Sequence, residues 1–142
     1  MMYQNILIGI DGSKKAENAF KTGCDLAKAL GAKVSIVWIV NRDRGMDVSF
    51  GVGEEFYLDL ADQAKEKIQP YLAEAKQKGL DVKSDVIIGS TKTILAETYP
   101  KEHNIDLIII GQTGMNNIEK LVVGSHTSFV VRNSACDVLV IK

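Results

Sequence analysis

Apolar and polar positions in this chain alternate between two rhythms. Ile6, Leu7, Ile8, Gly9 and Ile10 form a short run without a polar interruption, the pattern of a strand covered on both faces. Ala16, Ala19, Phe20, Gly23, Cys24, Ala27 and Leu30 then recur at steps of three and four, one stripe of a helix, and Gly31 stands where a C-cap glycine belongs. A second strand is predicted over 34–40. Residues 41–53 hold three glycines and no periodicity; loops of that length are uncommon in compact domains and often functional, which makes 41–53 a candidate lid. Tyr57, Leu60, Ala61, Ala64, Ile68, Tyr71, Leu72 and Ala75 give a second helical stripe ended at Gly79, and Pro70 inside it should kink or split that helix. A third strand follows over 82–88, then a helix carrying Ile94, Leu95 and Thr98 that Pro100 should shorten. The fourth strand, 105–110, contains the most apolar run, and a short helix over 125–133 precedes a last strand over 138–141.

Strict alternation of strand and helix predicts a parallel sheet with helices on both faces. With right-handed crossovers the expected fold is α/β, one doubly wound, Rossmann-like five-stranded sheet in a single domain over 1–142. In such a sheet ligands bind beyond the carboxyl ends of strands, where the strand order reverses. Two segments rich in small and polar residues stand at such ends, Gly9-Ile10-Asp11-Gly12-Ser13 and Gly111-Gln112-Thr113-Gly114. Gly124-Ser125-His126-Thr127 then opens the last helix. Gly111 and Gly114 let the backbone approach a ligand with no Cβ in the way. Free amides and the hydroxyls of Ser125 and Thr127 would face an anion, which a helix N-terminus favours by about 0.3–1 kcal/mol when exposed. His126 would contribute its backbone N–H. Asp11 has two readings, a turn residue capping the first helix or a ligand contact.

Gly111-x2-Gly114-x9-Gly124-Ser125 resembles the nucleotide-binding signature of the ATP-binding branch of the universal stress protein family. The likeness runs the whole length, through the opening Ile6-Leu7-Ile8-Gly9-Ile10-Asp11-Gly12-Ser13, the run Ile105-Asp106-Leu107-Ile108-Ile109-Ile110-Gly111 and the ending Ser134-Ala135-Cys136-Asp137-Val138-Leu139-Val140-Ile141. The resemblance implies a sheet ordered 3-2-1-4-5, with Gly111, Gly114, Gly124, Ser125 and Thr127 on the phosphates of ATP. It implies that Gly9, Asp11 and Ile39 line the adenosine end, Asp11 hydrogen-bonding and Ile39 packing on the base, with Val40, Ile88 and Gly89 walling the pocket. Mg²⁺ or Mn²⁺ is the cation that would accompany the nucleotide. It also implies a homodimer through Val138, Leu139, Val140 and Ile141, an edge strand too apolar to stay open. Two positions depart from the family pattern: Asp137 replaces a common proline, which bears on dimer geometry, and Thr113 replaces a frequent His or Arg in the phosphate loop.

Composition narrows the classes further. Seventeen Lys and Arg against 18 Asp and Glu leave a net charge of −1, without the basic footprint that general nucleic-acid binding needs. No apolar run reaches the roughly 18 residues of a membrane span. The first residues lack the basic and apolar regions of an export signal, so the cytoplasm is the expected compartment and Cys24 and Cys136 are expected as reduced, core-lining thiols. The P-loop, the dinucleotide glycine fingerprint and a nucleophile elbow are all missing, and Ile87-Ile88-Gly89 stands where a receiver domain would carry an acid. His103 is read as complementing a helix dipole and Trp38 as core. The reading is a nucleotide-dependent sensor or regulator that binds ATP without efficient turnover, against two alternatives, a slow ATPase or a nucleotide-free dimeric interaction module.

Overall fold

A computed structural model describes residues 2–42, 53–112 and 125–142. Five strands, β1 (Asn5–Ile10), β2 (Lys33–Asn41), β3 (Val82–Gly89), β4 (Leu107–Gly111) and β5 (Asp137–Ile141), form one sheet ordered β3-β2-β1-β4-β5, every pairing parallel. The register sets Ile6 beside Val34 on one side and Leu107 on the other, and the three positions of the central strand paired on both sides, Ile6, Leu7 and Ile8, are all apolar.

Side chains alternate across the sheet, and each face is covered by two helices. Ile6, Ile8 and Ile10 pack with α1 (Lys14–Leu30) and with Ile68 and Ala75 of α2 (Glu54–Gln77). Leu7, Val37, Ile108 and Ile110 face the opposite way, onto α3 and α4 (Ser125–Asn133). Helix α3 is a single helical stretch in three pieces: Thr91–Thr93, a π-helical turn Ile94–Thr98, and Tyr99–His103. Gly31 ends α1 in the left-handed region at φ 67°, its N–H on the carbonyl of Ala27. Within α1, Gly23 brings the helix onto the sheet, since a Cβ there would stand 2.5 Å from Cδ1 of Ile8.

Neither proline ends its helix. Helix α2 is not split at Pro70, which is exposed; its ring faces water, and the Glu66 carbonyl that lacks a donor lies on an exposed turn where solvent can serve it. Pro100 does not shorten α3. The turn before it is widened, with the Tyr99 N–H bonding the Ile94 carbonyl, and this relieves the clash a proline ring makes with the carbonyl four residues back. The helix ends instead at Asn104, in the left-handed region at φ 54°, and β4 starts at Leu107 because the Asp106 carboxylate caps the backbone of β1.

Below the sheet's centre α3 is tied down by polar groups. The Tyr99 hydroxyl donates to Asp85 Oδ2 at 2.6 Å, and burial, then this bond, pushes the phenol well above its ordinary pKa. His103, in the last turn of the helix, stacks on Tyr99, and its Nδ1 lies 2.9 Å from the Lys83 ammonium. Cys24 is buried and Cys136 half-buried; both are free, and burial pushes the Cys24 thiol up to about 11.

Candidate functional site

At the carboxyl end of β1 the chain makes a tight turn into α1. The Ser13 N–H donates to Asp11 Oδ1 at 2.9 Å, while Ser13 itself caps the helix, its Oγ accepting from the Ala16 N–H at 3.1 Å. The turn reading of Asp11 is therefore visible: it fixes the residue that does the capping, and its carboxylate is exposed. Gly12 sits at φ 85°, a conformation L side chains rarely adopt, and the edge of the Trp38 indole lies 3.0 Å from where a Cβ would be. The negative charge of Asp11 also reaches Tyr71, whose phenol is raised by burial first and then by Glu17, Asp11 and Glu74.

At the end of β4, the Thr127 hydroxyl donates to the Gly111 carbonyl at 3.1 Å. Thr127 is only 3% exposed, whereas Ser125 and His126, the preceding residues of α4, are exposed. Gly111 is required for a reason that the sequence did not reveal: a Cβ there would stand 2.6 Å from the carbonyl carbon and oxygen of Lys15, so the first turn of α1 presses on the strand end. Since β1 and β4 are neighbours, the structure brings Gly9, Asp11, Gly111, Ser125, His126 and Thr127 to one end of the sheet. Gly114, Gly124 and Thr113 lie outside the described residues.

The flanking residues divide. Ile39 faces the α3–α4 side, but the period of two sends Val40 and Ile88 to the other face, where they pack with Tyr57, Ala61 and Ala64 of α2. Val40 and Ile88 therefore do not share a side-chain wall with Ile39. Gly9 and Gly89 are seats for α3, with Leu95 and Ile94 respectively where their Cβ atoms would be. The candidate lid over 41–53 begins later than expected, because Asn41 still pairs with Gly89 in the sheet and accepts the Thr91 N–H at 3.1 Å; residues 43–52 lie outside the described residues. Arg42 pairs with Glu54 and lies over the Tyr57 ring, 4.6 Å from its centroid, joining the two ends of that segment. Sequence reading gave no role to Asn41 and Arg42, whose partners lie 50 and 12 residues away, and Trp38, read as core, packs against two core clusters with its edge beside Gly12.

The sequence model of the universal stress protein family matches residues 2–142. The chain belongs to this family. A curated protein of Staphylococcus haemolyticus (strain JCSC1435), named as a universal stress protein, is 35% identical over 144 residues, covering 100% of this chain and 86% of its own length. The solved universal stress protein UspA of Lactobacillus plantarum superposes with a TM-score of 0.82 at 30% identity, covering 100% of this chain and 99% of the other. A universal stress protein solved in complex with cAMP shares the fold at a TM-score of 0.75 and 23% identity, with 100% and 99% of the two chains covered. The family fold, a five-stranded parallel sheet in the order 3-2-1-4-5 between helices, is the fold observed. Among the described residues no group of His, Cys, Asp and Glu is placed to hold a metal ion, and no helix is long and apolar enough to cross a membrane.

Proposed function

We propose that this protein binds an adenine nucleotide, ATP first among them, across the carboxyl ends of β1 and β4, and acts as a nucleotide-dependent sensor or regulator without efficient turnover. One observation carries the reading: the Thr127–Gly111 hydrogen bond sets the start of α4 on the end of β4, beside the Asp11 turn of β1. That juxtaposition gives main-chain N–H groups at a helix start within one crevice, the arrangement that suits phosphate. A family member solved with cAMP supports adenine as the base. In this reading Gly111, Gly114, Gly124, Ser125 and His126 offer amides to the phosphates. Thr127 does the same through its N–H, because its hydroxyl proton is already on Gly111. Gly9, Asp11 and Ile39 take the adenosine end. The same reading places the protein in the cytoplasm as a homodimer, with β5 as its contact: β5 lies at the sheet edge, and its half-buried Val138, Leu139, Val140 and Ile141 alternate between the two cores.

Mass spectrometry of denatured, freshly purified protein is expected to release an adenine nucleotide. Calorimetric titration should rank ATP above GTP, and phosphate release should stay near background. Gly114→Val and Gly124→Val should abolish binding while far-ultraviolet circular dichroism is unchanged. Unaltered affinity in both variants would refute the cradle. Absence of any bound or titratable nucleotide, in a protein that still sediments as a dimer, would favour the nucleotide-free interaction module.

A further inference from the structure

We infer that Trp38 is a positioning residue of this site, holding the Asp11–Ser13 turn in the conformation that presents Asp11 to a ligand without touching the ligand itself. Gly12, in the middle of that turn, is free to adopt positive or negative φ at similar cost, so glycine alone selects neither. Its φ is 85°; the Ser13 N–H donates to Asp11 Oδ1 at 2.9 Å, and the indole edge stands over the face of Gly12 from which a Cβ would project, Cη2 3.0 Å and Cζ2 3.5 Å from that position. The first contact is local and exposed; the second comes from the neighbouring strand. Trp38 lies opposite Ile10, the last residue of β1, and opposite Val86 on its other side, so the sheet register places the ring beneath the residues that follow Ile10. The ring is half-buried and packs against both the α1 cluster and the α2 cluster, so it cannot swing away without opening both. A glycine that could take either sign of φ, set against an aromatic wall, keeps the turn in one conformation, and the carboxylate of Asp11 is delivered pre-ordered.

The binding half of this inference rests on the nucleotide reading above; the turn half does not. The test is Trp38→Leu, with Trp38→Phe as the milder variant, each first shown to melt cooperatively. Hydrogen exchange at the Ser13 amide, measured without nucleotide, should accelerate about tenfold in Trp38→Leu and less in Trp38→Phe. Titration with ATP should show affinity about fivefold weaker in Trp38→Leu, and no further loss when the same change is made in Asp11→Ala, because the ring acts through that carboxylate. Unchanged Ser13 exchange, or an equal loss of affinity with and without Asp11, overturns the inference and leaves Trp38 as packing. A wild-type protein that binds no adenine nucleotide overturns the reading of the site, and the role of Trp38 in affinity with it. Faster Ser13 exchange together with a loss of affinity that disappears in the Asp11→Ala background, on a wild-type protein that binds, supports both.

Discussion

At the amino ends of the strands, acidic side chains close the sheet; at the carboxyl ends, side chains are stripped away. Asp106 accepts the N–H groups of Gln4 at 2.9 Å and Asn5 at 3.0 Å, and Tyr3 donates to Asp137 Oδ2 at 2.6 Å, so the chain entering β1 is bound to both β4 and β5. The opposite end carries Gly9, Gly89 and Gly111, where Leu95, Ile94 and the backbone of Lys15 occupy the space of the missing Cβ atoms. The Asp106 and Asp137 carboxylates of the first end are already occupied by groups of the protein itself. The second offers main chain and the start of α4. The difference separates stability from ligand chemistry along one axis of the sheet. Asp137 belongs to the first end: it takes the Tyr3 hydroxyl at the entry to β5.

The comparison breaks most visibly at Gly111. Gly111→Val must push a branched side chain into the Lys15 backbone, and we expect about 3 kcal/mol lost in urea denaturation; a loss below ~1 kcal/mol would mean that α1 can retreat. At the other end, Asp106→Ala removes both carboxylate bonds to β1 and should cost ~2 kcal/mol, with ATP affinity unchanged. A drop in affinity there would erase the division between the two ends. A smaller effect lies in the core between them. The Cys24 thiol titrates near 11 in the fold against 9.0 ordinarily, so the unfolded chain loses that proton first, and stability should fall as pH rises from about 9 to about 11. Cys24→Ala should flatten this slope, and a thiol reagent should modify Cys136 well before Cys24 in the native protein. The smallest change is expected at Tyr3. Tyr3→Phe and Asp137→Ala should each lower the melting temperature slightly, and the double variant no further, which a differential scan can resolve.

The central strands were legible because they are apolar runs covered on both faces, buried at every position from Ile6 to Ile8 and from Ile108 to Ile110, whereas the edge strands β3 and β5 are only half-buried. Helix α4 could be read to its ends for a related reason: its stripe, with Thr127 and Val130 buried, begins directly after a glycine and a serine. The reach of α2 and α3 past their prolines was not legible, because a local rule was applied without the environment. Pro70 lies on an exposed turn, and Pro100 follows a turn with an extra residue. The candidate site was legible as segments and not as contacts. Gly111 looked like room for a ligand, but its cause is the backbone of Lys15, 96 positions earlier in the chain. Val40 and Ile88 looked like neighbours of Ile39, and only the pleat shows that they belong to the other face.

The widened turn in α3 allows one helix to meet two unlike surfaces. At its start, Ile94 and Leu95 sit against Gly89 and Gly9; after it, Tyr99 and His103 meet Asp85 and Lys83. One surplus residue rotates the second half of the helix relative to the first by about a quarter turn. Any comparison that forbids a gap inside a helix will therefore match one half of α3 in relatives lacking the surplus residue and misplace the other by a single position. Deleting one residue between 94 and 98 should restore a regular spiral while turning the tyrosine away from its carboxylate.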